Sequence, residues 1–134
     1  MQQNKLYEYA VIRIVPRVER EEFINAGIVL FCKKEKYLKC KYELHEAKLL
    51  CMYPEADIEF IRKNLQSFEN IALGKKSESV IATLDQPERF RWLTATRSTV
   101  IQASKVHPGL CFNEDETLEK LFLEYIGEPS SQRR

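Results

Sequence analysis

Between Arg89 and Gln102, fourteen residues hold three arginines, three threonines and Ser98 among apolar neighbours, and His107 follows shortly after. A guanidinium offers a planar fork of donors that matches carboxylate or phosphate, which the ammonium of lysine does not. Of nine arginines, Arg13, Arg17, Arg20, Arg89, Arg91 and Arg97 fall in two segments, whereas lysines dominate the loops and the first hairpin. These residue types predict an anion site: Arg17, Arg20 and Arg97 clamp a charged group while Ser98 and Thr99 donate hydroxyl hydrogen bonds. Glu22, Asn25, Arg89 and His107 complete the candidate ligand- or partner-binding set. The competing expectation is internal pairing, with Arg17 or Arg97 fastened to Glu19, Glu22 or Glu88.

The same stretch admits a second chemistry. Ser98 with His107 is a nucleophile and base, with Glu22 or Asp115 to orient the imidazole, and Cys111 with His107 is another such pairing. Neither carries a nucleophile-elbow glycine pattern, so a structural turn at His107-Pro-Gly109 is the simpler expectation. Asn25-Ala-Gly27 reads as a bulge or a close backbone approach, with Asn25 bonding nearby backbone. Trp92 and Phe90 read as core. Lys33, Lys34, Lys36, Lys39 and Lys41 form a basic hairpin that suits phosphates, but a solvated strand face guarded against edge pairing explains them equally well. Nucleic acid is therefore not the expected partner, and no glycine-rich phosphate loop is present.

The whole composition narrows the classes further. A chain of 134 residues suits one domain with a real core, and charges of both signs cancel to +1, so no global field argues for nucleic acid or an anionic membrane. No run reaches the roughly 18 apolar residues of a spanning helix, and residues 1–5 lack a secretory core, so the expected location is the cytoplasm. Cys32, Cys40, Cys51 and Cys111 show no Cys-x-x-Cys spacing. They read as reduced structural thiols, and neither a metal nor any other cofactor is expected.

The elements that must position these residues follow from periodicity. Leu6 to Val15 reads as a strand stopped by Pro16. A second strand starts near Phe23, with Ile24, Ala26, Ile28, Leu30 and Cys32 in one row and its second half buried on both sides. Lys33 to Lys36 turn the chain into a third strand, Tyr37 to Leu44. His45 to Met52 is a short helical stretch. A helix from about Asp57 carries Ile58, Ile61, Leu65, Phe68 and Ile71 to a cap at Gly74. Val80 to Leu84 is open between strand and helix, Pro87 starts a short helix, and Thr96 to Gln102 reads as a strand. Asn113 and Glu116 form a capping box for a helix through Ile126.

The expected fold is α+β: an N-terminal three-stranded antiparallel meander plus a later strand, with helices on one face of the small sheet. Residues 1–129 make one domain and 130–134 a disordered tail. The other face is expected to be partly wet and to carry Arg13 and Asn25.

Two parts of the chain together carry a family resemblance. Tyr9-Ala-Val-Ile-Arg-Ile-Val-Pro-Arg-Val-Glu-Arg-Glu-Glu-Phe-Ile-Asn-Ala-Gly-Ile-Val-Leu-Phe31 is the first; Arg89-Phe-Arg-Trp-Leu93, Arg97-Ser-Thr99 and His107-Pro-Gly109 make the second. They resemble the domain of unknown function 3037 family of small bacterial proteins. The family pattern has glycine in place of Glu21 and proline in place of Thr96. The resemblance implies no activity; by gene neighbourhood it implies a HipA-like kinase as a protein partner. The expectation is thus a non-enzymatic binding or regulatory module that uses arginine-rich loops. The alternative is a small enzyme acting through Ser98 or His107 on a phosphorylated or carboxylated substrate.

Overall fold

A computed structural model describes residues 4–75, 79–97 and 99–127. The elements are β1 (Lys5–Ile14), a 3-10 turn (Val18–Arg20), β2 (Ile24–Cys32), β3 (Tyr37–Tyr42), α1 (Glu46–Met52) and α2 (Ile58–Leu73). A second 3-10 turn (Ile81–Thr83), α3 (Gln86–Thr94), β4 (Ile101–Ala103), β5 (His107–Cys111) and α4 (Glu114–Tyr125) follow. All strand pairs are antiparallel, so the chain is an α+β fold. No helix among the described residues is long and apolar enough to cross a membrane.

Local chemistry explains the helix ends. Asp57, Asp85 and Asn113 each accept a backbone N–H from the first turn of α2, α3 and α4, and Gly74 closes α2 at φ 74°. Pro87 sits in the first turn of α3, where its missing N–H breaks no bond.

The sheet runs β3-β2-β1-β4, and β5 pairs β1 on that same side. β4 and β5 form one interrupted strand. Ile12 faces Ala103 and Tyr9 faces His107, so three residues fill a space spanned by two on β1. Ser104 holds the break: its buried Oγ accepts from the Val11 N–H and donates to the Lys105 carbonyl. This corrects two expectations. The later strand begins at Ile101 rather than Thr96, and His107-Pro-Gly109 is strand rather than turn, tolerated because Pro108 lies on an edge strand.

β2 is buried on both faces, and a bulge decides which residue meets which face. Ile12 pairs Gly27 while Arg13 pairs Asn25, leaving Ala26 as the extra residue. Ile24 and Ala26 therefore share the cluster of Val29 and Phe31, and Ile28, Leu30 and Cys32 point the other way, so the even row is not continuous. Gly27 is required there: a Cβ would stand 2.3 Å from the Lys41 carbonyl oxygen.

A strand buried on both sides needs cover on both. Leu49 of α1 with α2 and α3 packs on one face through Ile61, Leu65, Phe68, Phe90 and Leu93. α4 packs on the other through Leu118, Leu121 and Phe122, against Tyr7, Val11, Ile28 and Leu30. The expectation of helices on one face is thereby corrected, while the α+β class stands. The expected tail, 130–134, lies outside the described residues.

α4 is also tied by charge. Lys5 and Glu114 approach to 2.7 Å with side chains only 14% and 12% exposed. Burial alone would push the Glu114 carboxyl up, but the hydrogen bond from Lys5 and its backbone contact leave it below the usual range. A depressed folded pKa contributes stability above the unfolded value of about 4.3, and loses it as pH falls through the lowered value. Urea midpoints of the parent are thus expected to fall more steeply between pH 6 and pH 3, to the order of whole pH units, than those of Glu114→Gln. Equal slopes would refute the linkage.

Candidate functional site

The end of β1 that carries Arg13 lies beyond the reach of α4 and opens into a cavity of about 310 Å³. Arg13, Phe23, Glu21, Thr96, Arg97 and Gln102 are among its walls. Arg13 arrives because β1 alternation points it away from the Ala10, Ile12 and Ile14 row, and Gln102 because β4 pairs it with Arg13. Arg97 arrives from the segment after α3.

Both guanidiniums rest on aromatic rings. Arg13 lies 4.0 Å from the centroid of Phe23 and Arg97 lies 3.9 Å from that of Trp92. Arg97 Nη1 also donates to the Trp92 carbonyl at 2.6 Å. Burial draws the Arg97 guanidinium below its ordinary value, yet arginine remains charged at neutral pH. Among the described residues neither arginine has a carboxylate partner. Trp92, expected as core, is instead 36% exposed and serves as the Arg97 platform, while Phe90 is core.

Arg13 and Asn25 do face each other on the face away from α2, as the alternation predicts. Arg13 Nε and Asn25 Oδ1 are both buried without a hydrogen-bond partner among the described residues, so Asn25 Oδ1 does not bond the backbone as expected. A buried polar atom that no partner meets costs roughly 1–3 kcal/mol. Glu21 adds strain nearby: it ends the first 3-10 turn at φ 56°, the left-handed region where the family's glycine would sit freely.

The other expected residues disperse. Arg17 pairs with Glu19 at 3.0 Å, the internal pairing foreseen as the alternative, and Arg20 pairs with Glu22 at 3.2 Å, which was not foreseen. Arg89 donates to the Leu84 carbonyl at 2.6 Å and towards Ala72 at 3.4 Å, pinning α3 to the end of α2. Thr99 Oγ1 turns inward to the Ile101 carbonyl. Ser98 lies outside the described residues.

Among the described residues no catalytic relay assembles around His107. Its ring lies tilted against Tyr9, 5.3 Å between centroids, and its β1 partner stands four residues, roughly 13 Å, from Arg13. Cys111 is four residues further along the same strand, and burial pushes its thiol up, away from the reactive thiolate. Asp115 accepts from Tyr37 at 2.6 Å, and Glu22 is held by Arg20. Among the described residues no three His, Cys, Asp or Glu side chains converge to hold a metal ion. On the basic hairpin, Lys39 lies 3.8 Å from Asp115 and Lys41 is bonded to Glu119, so two of its lysines face acids of α4.

The sequence singled out Arg97 but did not group Arg13 with it, though the two line one cavity. The signal for Arg13 was a charge set between the buried Ile12 and Ile14 of β1.

No curated protein and no solved structure matches the chain significantly. The family described as "protein of unknown function (DUF3037)" matches residues 9–126, a span that includes every wall of the arginine cavity. With nearly all of the chain covered and both arginine segments inside the match, the protein belongs to the DUF3037 family.

Proposed function

We propose that this protein is a binding module that holds an anionic group, carboxylate or phosphate, between Arg13 and Arg97. One observation carries the reading: two guanidiniums line a single cavity, each seated on an aromatic ring, and neither meets a carboxylate of the described residues. A buttressed guanidinium is pre-oriented, so little side-chain entropy is lost when the anion arrives. The role is recognition rather than turnover, because His107 stands apart from the arginines. The partner implied by the family resemblance, a HipA-like kinase, would present the anion as an acidic surface segment.

Trp92 is the single tryptophan of the chain and lies under Arg97, so its fluorescence reports the site directly. Titration with inorganic phosphate and with glutarate at low ionic strength is expected to saturate. Arg97→Lys keeps the charge but loses the fork, and is expected to weaken binding about tenfold, the worth of one charge-assisted hydrogen bond. If neither anion changes the fluorescence or the thermal midpoint, the reading is wrong.

A further inference from the structure

The cavity does not stop at Phe23. The same ring forms a wall of a second, wider cavity of about 460 Å³, together with Asn25, Lys48, Met52 and Tyr125. This groove is apolar and open: Phe23 is 43% exposed, Met52 39% and Tyr125 38%. It lies where α1 ends at Met52 and α4 ends at Tyr125, so neither helix extends over it. An apolar patch beside a pair of unpaired guanidiniums has the composition of a recognition surface.

Arg13 belongs to the first cavity and Asn25 to the second, and the two residues are direct partners in the β1–β2 ladder, so the cavities adjoin across one rung of the sheet.

We propose that the two cavities together take an extended segment of a partner protein in which an acidic residue and an apolar one two positions further on share a face. The acidic side chain lies between Arg13 and Arg97, and the apolar side chain enters the groove beside Met52 and Tyr125. Charge favours an acidic segment: Arg13, Arg97 and Lys48 make the combined rim positive against the single carboxylate of Glu21. This inference rests on the anion reading and adds what carries the anion.

Four probes separate the two. Inorganic phosphate, acetyl-Asp-Leu-Phe-amide, acetyl-Asp-Gly-Gly-amide and acetyl-Asn-Leu-Phe-amide are titrated into the intact protein and followed by Trp92 fluorescence and calorimetry. The Asp-Leu-Phe peptide is expected to bind about tenfold more tightly than either other peptide, since one buried apolar side chain and one charge-assisted bond each carry about that factor. Met52→Ser, checked for folding by its thermal midpoint, is expected to remove about two thirds of the advantage of Leu-Phe over Gly-Gly, as a polar side chain replaces apolar wall. If Asp-Gly-Gly binds as tightly as Asp-Leu-Phe, the peptide inference is overturned and the anion reading stands. If Asn-Leu-Phe binds as tightly as Asp-Leu-Phe, the arginines do not read the segment and the inference falls. If phosphate and all peptides fail to bind, both readings fall.

Discussion

Gly27→Ala is expected to cost about 3 kcal/mol or more in urea unfolding, a large share of the roughly 5–15 kcal/mol of a typical domain. The added Cβ would stand 2.3 Å from the Lys41 carbonyl oxygen, 2.6 Å from Tyr42 Cβ and 2.8 Å from Tyr42 Cα. None of these is the far end of a flexible side chain, so β2 and β3 must separate. Separation breaks the ladder in which Gly27 faces Tyr42 and strains the neighbouring bond from the Glu43 N–H to the Ala26 carbonyl. Because Ala26 is the bulge that sets Asn25 opposite Arg13, phosphate binding is expected to weaken in parallel. Gly109→Ala is the comparison: its Cβ would meet the ring and hydroxyl of Tyr7, a buried side chain of the α4 face, and the cost is expected at about 1–3 kcal/mol. A Gly27→Ala protein as stable as the parent would mean that the strands are not so closely apposed.

Phe122→Ala is expected to cost about 3–5 kcal/mol, the usual range for removing a buried phenylalanine. Phe122 is 1% exposed and is the largest fully buried side chain of the protein's described residues. It anchors α4 over Val11, Ile28 and Leu30, and the Lys41 ammonium lies 4.9 Å from its ring. The loss falls unevenly, because α2 and α3 pack against the opposite face of the sheet. Amide exchange is therefore expected to accelerate first in 114–125 and only later in 58–73. Phe122→Leu keeps most of the volume and is expected to lose less than about 1.5 kcal/mol. The functional consequence reaches the apolar groove, since Tyr125 is a wall of it and is placed by α4. Uniform exchange along the chain after Phe122→Ala would show that α4 and the other helices unfold as one unit.

The elements most legible in the sequence are those whose causes are local. α2 shows its buried residues at helical spacing and its glycine cap, and α4 shows its asparagine cap, because a helix bonds residues four apart and its signals lie within a few positions. The hairpin between β2 and β3 was legible for the same reason. A bulge was read at Asn25-Ala-Gly27, but that Ala26 is its extra residue was not. A two-fold alternation reads the same until a partner strand shows where an extra residue falls. The interruption at Ser104 and the strand at His107 escaped for a like reason: both depend on what β1 offers across the ladder.

For the site, residue type went further than position. The sequence showed arginines, Arg97 among them, concentrated in two segments, and it separated an arginine-rich chemistry from any recognisable catalytic pattern. It grouped Arg97 with Arg17 and Arg20, which are its neighbours in motif but are held by Glu19 and Glu22. By itself, then, the sequence determined the α+β class, the helix boundaries and the kind of chemistry available. Only the tertiary structure decided that Arg97 shares a cavity with Arg13, that α4 crosses to the second face, and that Phe23 joins the arginine cavity to an apolar groove. The physical reason is one of range: helix and turn energetics act between near neighbours. The cavity depends on the pairing of Arg13 with Gln102, a strand register between opposite ends of the chain that no local pattern encodes.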